Sequence, residues 1–511
     1  MVIKFNKDRI TLISFIVFSL VVFISLLNFL FLDKTPPHWD YALHLKNTLI
    51  YYENLKNLNL IKFFSIYAYY PPLTYALLSL FISIIGYSKF TVLVFNFSFL
   101  SLMLYVAYRF TKTLFDKFTS LTLVSFLIFL IVTLSPSRIL IWELMTDFPL
   151  MALIFIIYCA FYLSFKKNNF GIKKSLSLGL LVALTLLVKW SAVVYLFIPV
   201  VFYLILSFKK RHLKESLLIF YPILFLSGLW YFPHIKLIFR DLIKYGVNQA
   251  YLEQDPQWLK GVIFYFKDFL FSTWPANLII PLLLILYLIK IIKGEKLFKK
   301  IDLLGIFDWL FVFFPCLLFT IFIPNKDTRY LYPIYIPLIS VCFWRIRKYF
   351  NFNKIWFITP LTLLLIIFNY SYFLPKPFPD SLISHLNRII WEKQPATVAY
   401  FFESDSHLFN YANIHLFHIE LKQLYDINQP SYFFLNSMNI EDENYIHGCS
   451  YHQEPEAIFV FKKEQNDLIV NPKWQASFEE DCPLEFRDQY EIKEKINLYE
   501  EQLIYLTKKA V

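Results

Sequence analysis

The sequence contains little glycine and few charged residues for its length. Only 9 glycines occur in 511 residues, which argues against glycine-rich repeats and against a glycine-rich loop that cradles phosphate with backbone amides. Charged residues make up 17% of the chain and hydrophobic residues 58%, whereas a typical soluble domain has about 25% charged residues. The excess of apolar side chains predicts a protein that lies largely in lipid.

Cysteine is also scarce. Of the 5 cysteines, Cys159, Cys316 and Cys342 fall in apolar runs, where cysteine behaves as a small hydrophobic residue. Cys449 and Cys482 lie in the C-terminal part, and an oxidising compartment would permit a disulfide between them. No CxxC pair and no His/Cys ligand spacing occurs, so the sequence predicts no structural zinc site.

The net charge of +11 combines two parts of opposite sign. Residues 375–511 contain 12 Lys and Arg against 22 Asp and Glu, a net charge of −10. The remaining 37 basic and 16 acidic residues give residues 1–374 a net charge of +21. These positive charges form short clusters between apolar runs, as in the cytoplasmic loops of a multi-pass membrane protein. The pattern indicates the lipid bilayer as a partner and argues against nucleic acid.

Apolar runs long enough to cross a bilayer recur through 1–374. They lie at 11–32, 89–108, 118–134, 142–165, 190–207, 215–232, 275–293, 303–324 and 354–373, with shorter runs at 72–86, 175–188 and 330–344. Six basic clusters should all be cytoplasmic: 4–9, 109–117, 166–174, 209–214, 290–300 and 345–354. All six clusters fall on the cytoplasmic side only if the run at 72–86, which begins at a Pro-Pro pair, does not cross the membrane. That run is therefore predicted to be an interfacial or re-entrant helix.

This topology has 11 crossings, a cytoplasmic N-terminus and an extracytoplasmic tail. The tail lacks long apolar runs and shows strand-like stretches at 397–402, 432–435 and 457–461, with helical patterns at 380–392 and 414–424. The predicted fold is an α-helical polytopic membrane domain over 1–374, with additional interfacial helices, followed by a soluble α/β domain over 375–511. We expect the chain in a plasma membrane or bacterial inner membrane.

Asp40 is the first candidate for chemistry, because an ionisable group at the membrane boundary is costly to keep. It follows the first apolar run in the aromatic sequence His38-Trp39-Asp40-Tyr41. A carboxylate in such surroundings can accept a proton from a hydroxyl or amine during group transfer. The alternative is structural, with Asp40 capping a helix that starts at Tyr41.

Two further carboxylates and one tyrosine lie at predicted outer ends of apolar runs. Glu143 and Asp147 are four residues apart and would share one face of a helix. Tyr70 precedes Pro71-Pro72, where the chain turns into the short apolar run at 72–86. The ordinary role of such an aromatic residue is to anchor the chain at the membrane interface.

Cations occur at two outer connections where the charge bias gives no reason for them. Lys189 interrupts an apolar stretch at an outer turn, and Lys326, Arg329 and Tyr330 share a short connection before a late crossing. Gathered on one face, the cations would bind a phosphate or diphosphate, for which Arg offers a bidentate fork and Lys a point charge. In the alternative, each extends its charged end to the lipid headgroups.

In their order along the chain, these features resemble the GT-C superfamily of membrane glycosyltransferases, in the group of protein O-mannosyltransferases and aminoarabinose transferases. The similarity covers residues 11–345. It rests on His38-Trp39-Asp40-Tyr41-Ala42, Tyr70-Pro71-Pro72-Leu73, Leu186-Leu187-Val188-Lys189-Trp190 and Arg329-Tyr330-Leu331-Tyr332-Pro333. Each segment has low specificity alone, and the set gains specificity from its order and its common outer side.

The resemblance implies transfer of a sugar from a polyprenyl-phosphate donor, with inversion at the sugar carbon. It implies that Asp40 is the base, that Lys189 and Arg329 contact the phosphate, and that Tyr330 supports that end. The other predicted substrate-binding residues are Tyr70, Glu143, Asp147 and Lys326. Many relatives have an acidic residue after the first-loop Asp, where this chain has Tyr41. No cofactor is therefore assigned, and a divalent metal is left open.

Two other functions fit a polytopic chain. The first is a transporter or flippase for a lipid-linked solute, although the related halves and broken helices typical of transporters are not evident. The second is a polymerase or ligase of cell-envelope polysaccharide, for which a large late outer loop would be expected. The acceptor, whether protein, lipid or glycan, is not defined by the sequence.

Overall fold

The computed structural model describes residues 39–68, 70–114, 143–243, 258–272, 303–322, 328–349, 382–393, 395–402, 414, 416–419, 431–434, 455–463, 482, 488–498 and 501–509. These residues are mostly helical, with one β-sheet near the C-terminus. The chain divides into two compact units, one of Met1–Leu27 with Asn54–Pro375 and one of Asn28–Glu53 with Lys376–Val511. Residues 28–53 thus group with the C-terminal part rather than with the helices that follow them.

The first described helices are α1 (Trp39–Lys56), α2 (Leu60–Ser65), α3 (Leu73–Ile85) and α4 (Lys89–Leu114). The amide of Lys62 donates to the Asn59 side chain, which caps α2. Helix α3 has 13 residues, about 20 Å at 1.5 Å per residue, whereas the hydrocarbon core is about 30 Å thick. It ends at Gly86, whose φ of 94° suits a glycine at a helix C-terminus. The prediction that 72–86 does not cross the membrane stays a prediction.

The central helices are α5 (Asp147–Lys166), α6 (Ile172–Leu186) and α7 (Ala192–Lys209), followed by a helical run, Leu213–Ile243. That run contains α8 (Leu213–Leu217), α9 (Phe220–Pro222), a π-helical turn (Ile223–Ser227) and α10 (Gly228–Ile243). The π-helical turn directly follows Pro222, which has no backbone N–H for the regular helical ladder. The later helices are α11 (Trp258–Ser272), α12 (Leu303–Phe322), the 3₁₀ turn Thr328–Tyr330 and α13 (Tyr332–Tyr349).

Five helical segments in the described part of the chain are long and apolar enough to cross a membrane: Lys89–Leu114, Asp147–Lys166, Ala192–Lys209, Leu213–Arg240 and Leu303–Ile321. In α5, 83% of the most apolar window is buried by protein, against 28–50% in the other four. Helix α5 therefore lies inside the bundle, and the others offer more apolar surface to lipid. The chain is an integral multi-pass membrane protein, and the predicted crossings 11–32, 118–134, 275–293 and 354–373 lie outside the described residues.

Polar contacts and one close backbone approach join the helices of the bundle. The Tyr158 hydroxyl of α5 donates to Asp308 of α12 at 2.7 Å, and both side chains are fully buried. In α6, a Cβ at Gly179 would lie 2.2 Å from the carbonyl oxygen of Ile219. Glycine is therefore needed where α6 passes the backbone between α8 and α9.

In the second unit, helix α14 (Leu382–Lys393) precedes a five-stranded sheet of β1 (Thr397–Phe402), β2 (Ser431–Phe434), β3 (Ala457–Lys463), β4 (Tyr490–Leu498) and β5 (Glu501–Lys508). The strand order is β2-β1-β3-β5-β4, with β2, β1 and β3 parallel and the β5 and β4 pairings antiparallel. The register pairs Tyr400 with Phe459, and their buried rings are stacked. The predicted strands agree with β1, β2 and β3, whereas the β4–β5 pair was not predicted.

The described cysteines differ between the two units. Cys159, Cys316 and Cys342 in the helical bundle are free thiols. Cys482 is bonded in a disulfide. Cys449, its predicted partner, lies outside the described residues.

Candidate active site

A buried ion pair joins two helix ends in the first unit. The Lys189 ammonium nitrogen lies 2.7 Å from Oδ1 of Asp147, and each side chain is 3% exposed. Two buried charges are stable only when they are paired or hydrogen-bonded, because desolvation costs several kcal/mol per ion. Lys189 therefore does not extend to the surface, and the pair is electrically neutral.

The backbone at both ends of this pair is set by helix termini. Asp147 is the first residue of α5, where the helix dipole favours a negative charge. Pro149 fits near this end because the first-turn amides need no partner within the helix. Lys189 lies in the tight turn between α6 and α7, in which the Ala192 amide donates to the Lys189 carbonyl at 3.0 Å. The opposite ends of α5 and α7 carry Lys166 and Lys209.

Tyr70 covers the ammonium group of Lys189. The nitrogen lies 5.0 Å from the centroid of the Tyr70 ring, within range of a cation–π contact. The connection between α2 and α3 that carries Tyr70 is held at its end, because the amide of Leu73 donates to the Leu187 carbonyl at 2.9 Å. The sequence segments around Tyr70 and Lys189 are thus neighbours in the fold.

The start of the same connection is attached to α10. The Trp230 indole donates to the Ile66 carbonyl at 3.4 Å, and the two ring nitrogens of His234 lie 2.8 Å and 3.2 Å from the carbonyl oxygens of Trp230 and Ser65. The Tyr67 ring packs against both, with centroids 6.3 Å from Trp230 and 5.4 Å from His234. The segment 65–73 is therefore held at both ends, with Tyr70 between them.

A second contact brings the Arg329 segment to α7. The Tyr195 hydroxyl donates to the Tyr330 carbonyl, and the Tyr195 and Tyr330 rings both pack against Phe319, with centroids 5.5 Å and 5.2 Å from it. Arg329, which is partly exposed, directly precedes Tyr330. The Lys189–Asp147 pair and the Arg329 backbone therefore meet the same end of α7.

One carboxylate at this end of the bundle was missed from the sequence. The Tyr335 hydroxyl of α13 donates to Asp268 of α11, and the Phe269 and Tyr335 rings are 5.3 Å apart. Asp268 and Lys267 are the two charged residues in the apolar and aromatic stretch Phe264–Phe271. An acidic residue in such a stretch is the sequence signal that could have revealed this site.

Glu143 and Asp147 do not share a helix face, so that prediction was wrong. Helix α5 begins only at Asp147, and Glu143 lies in the preceding turn. The Glu143 carbonyl accepts from the Asn96 side chain of α4 at 2.9 Å and from the amide of Met145 at 3.0 Å. These bonds hold the chain in a turn at Glu143. In a helix, the Glu143 carbonyl would instead accept from the amide of Asp147. Lys326 lies outside the described residues.

Asp40 lies in the first turn of α1 and belongs to the second unit. The helix begins at Trp39 rather than at Tyr41, so Asp40 is inside the helix and not a residue that caps it from outside. It is partly exposed, and His44, one turn later on the same face, is buried. The catalytic role of Asp40 stays a prediction.

A metal site is not evident in the part of the chain that the structure describes, since no three His, Cys, Asp or Glu side chains cluster there. The groups that do converge are the Lys189 ammonium, the Asp147 carboxylate and the Tyr70 ring, with the Tyr195 hydroxyl bonded to the Tyr330 carbonyl at the same end of α7. Such a set can bind a phosphate and orient hydroxyl groups by hydrogen bonds and charge. With Arg329 added, it has the chemistry expected of a phosphate-binding site.

Comparison with known proteins agrees with this architecture. A sequence model of the dolichyl-phosphate-mannose-protein mannosyltransferase family matches residues 70–235, which include Tyr70, Asp147 and Lys189. A search of curated protein sequences finds no significant match. The crystal structure of ArnT from Cupriavidus metallidurans in the apo state is similar with a TM-score of 0.60 at 10% identity, covering 95% of this chain and 97% of that chain. The structure of the same ArnT bound to undecaprenyl phosphate gives a TM-score of 0.58 at 9% identity, with the same coverage.

The fold is thus like that of the ArnT structures, in agreement with the resemblance to GT-C glycosyltransferases seen in the sequence. The family model covers about a third of the chain, residues 70–235, and together with the ArnT-like fold it indicates a glycosyltransferase. The residues that carried the resemblance in sequence, around Tyr70, Lys189 and Tyr330, lie at one end of the helical bundle.

Proposed function

We propose that the chain transfers a sugar, with inversion, from a polyprenyl-phosphate donor to an extracytoplasmic acceptor. The Lys189–Asp147 pair under Tyr70 is the observation that carries this proposal. A charged pair at the ends of apolar helices lies at the depth of lipid headgroups, where the phosphate of a lipid-linked sugar also lies. The donor's polyprenyl chain can then remain in the hydrocarbon next to the bundle.

The proposed roles follow from charge and position. Lys189 and Arg329 bind the donor phosphate and stabilise the negative charge that grows on it as the glycosidic bond breaks. Tyr195 and Tyr330 position Arg329. Lys326 adds a third cation, and Glu143 and Tyr70 border the sugar. One displacement at the sugar carbon by the acceptor inverts its configuration, and Asp40 is the proposed base that removes the acceptor proton.

The proposed side of the membrane follows from charge. The ends of α5 and α7 that carry Lys166 and Lys209 are cytoplasmic by the positive-inside bias, so the opposite ends, with Asp147 and Lys189, face outward. The disulfide at Cys482 supports an extracytoplasmic position for the soluble domain, proposed as 375–511, because disulfides persist in oxidising compartments. An impermeant thiol reagent applied to spheroplasts should label Lys493→Cys and leave Lys167→Cys unlabelled.

Transfer is tested with the full chain in liposomes that contain a panel of undecaprenyl-phosphate sugars. Release of free undecaprenyl phosphate, followed by chromatography, supports a transferase. Movement of the intact donor between leaflets without release would support the alternative of a flippase. Arg329→Ala should weaken donor binding by roughly 10- to 100-fold, since a charge-assisted contact contributes about 1.5–3 kcal/mol.

A further inference from the structure

The Lys189–Asp147 pair presents a difficulty for a phosphate site. A lysine whose ammonium group already lies 2.7 Å from a buried carboxylate is neutralised, and a neutralised cation attracts a phosphate poorly. Both side chains are 3% exposed, so solvent does not screen the interaction. A phosphate approaching Lys189 therefore competes with Asp147 for the same ammonium group.

Two buried hydroxyls lie on the chain segments that carry Asp147 and Tyr70, and they have no partner among the described residues. Thr146, adjacent to Asp147, and Thr74, next to the residue that bonds to Leu187, are fully buried, and their hydroxyls have no hydrogen-bond partner among the described residues. A buried hydroxyl without a partner costs about 1–3 kcal/mol, and a hydrogen bond to a ligand would remove that cost. Phosphate oxygens are strong acceptors for such groups.

The attachment of Tyr70 allows Lys189 to change partner without a change in the fold. Tyr70 contacts the ammonium group through its ring face, an interaction that has little directional demand on the N–H donors. Lysine has a flexible stem and three rotatable donors, so its ammonium group can reorient while the turn at 187–191 stays fixed. Asp147 is held by the start of α5 and does not need Lys189 for its backbone position.

We propose that Asp147 is the counter-ion that Lys189 exchanges for the donor phosphate. This inference rests on the proposed function and deepens it. In the structure the carboxylate neutralises Lys189. On donor binding the phosphate replaces the carboxylate, and the N-terminal end of α5 stabilises the negative charge left on Asp147. Asp147 is thus a positioning residue that lowers the affinity of the site for anions. Only a ligand that makes further contacts, through its lipid chain and to Arg329, then binds. The apparent affinity is reduced by the fraction of time that Lys189 spends on Asp147.

The test measures binding of undecaprenyl phosphate to the full chain in nanodiscs, with undecaprenol as the ligand that lacks the phosphate. Asp147→Asn removes the competitor and should bind undecaprenyl phosphate on the order of tenfold more tightly than wild type, within the usual range for coupled sites. Lys189→Met should reduce the difference in affinity between undecaprenyl phosphate and undecaprenol, and Arg329 should account for what remains. The matched control is Glu215→Gln, an exposed acid of the same unit, which should bind like wild type.

The outcomes separate the two proposals. If wild type does not distinguish undecaprenyl phosphate from undecaprenol, the proposed function fails. If wild type does, and Asp147→Asn binds the phosphate equally or more weakly, the exchange is wrong and Asp147 only orients Lys189.

If the Asp147→Asn variant is too unstable for the binding assay, its recovery during purification still tests the exchange. The proposal predicts that the variant is recovered when it is purified with undecaprenyl phosphate and not when it is purified with undecaprenol, because the phosphate supplies the missing negative charge. Absence of this rescue contradicts the exchange.

Discussion

Removal of either member of the Lys189–Asp147 pair should destabilise the protein far more than removal of both. At 2.7 Å, the attraction between two unit charges is about 6 kcal/mol at an effective dielectric constant of about 20. Desolvation of the two ions offsets much of this in the intact pair. When one partner is removed, the other is left buried without compensation. We therefore expect Lys189→Met or Asp147→Asn alone to lower the free energy of unfolding by about 3–5 kcal/mol.

The double variant with both changes should be close to wild type in stability, because an apolar chain and a neutral amide then occupy the same space. The coupling free energy from the double-mutant cycle is then the sum of the two single losses, about 6–10 kcal/mol, which is above the usual range of about 0.5–3 kcal/mol for residues in contact. Reversible unfolding by SDS in mixed micelles measures the four proteins. The matched control is the exposed pair His212 and Glu215, whose cycle should give at most about 1 kcal/mol.

Additive effects of the two changes at Lys189 and Asp147, or single effects as small as those of the control pair, would refute the reasoning. Either result would mean that the two side chains are hydrated or apart in the membrane-embedded protein. The phosphate exchange would then have no basis.

Three further predictions concern other parts of the fold and the site. Tyr195→Phe removes the donor to the Tyr330 carbonyl and should cost about 1–3 kcal/mol of unfolding free energy, with weaker donor binding in the nanodisc assay; unchanged values for both would contradict its role. Gly179→Val should lower the melting temperature, because its side chain would meet the backbone of Ile219, whereas a melting temperature equal to that of wild type would disprove the close approach. Asp40→Asn should lower turnover by roughly 100-fold or more and leave the donor Kd unchanged, and normal turnover would remove Asp40 as the base.

The sequence predicted the elements whose pattern is local. Apolar runs and basic flanks located α4, α5, α7 and α12, and the Pro-Pro pair located the start of α3 at Leu73. Strands β1 and β3 were predicted because they are short apolar runs between polar segments. The β4–β5 pair was missed because β4 carries Glu and Lys in almost every second position, a composition equally typical of an exposed helix.

The site was predictable as a set of residues and not as a set of contacts. Lys189 and Asp147 were each selected as an ionisable group near a membrane boundary, but they are 42 residues apart, and nothing local indicates that they pair. The face proposed for Glu143 and Asp147 failed because four-residue spacing brings side chains together only within a helix, and α5 begins at Asp147. Asp268 was missed because its partner, Tyr335, lies on another helix.

The central claim is that the end of the bundle around Lys189 binds the lipid-linked donor of a sugar transfer. The most direct test compares wild type with the Asp147→Asn/Lys189→Met double variant, which should fold, in liposomes that contain a panel of undecaprenyl-phosphate sugars and candidate acceptors. The account predicts that wild type releases undecaprenyl phosphate from at least one donor and that the double variant is slower by roughly 10- to 100-fold, as expected for loss of one charge-assisted phosphate contact. Equal release by the two proteins, or release by neither from any donor, would contradict it.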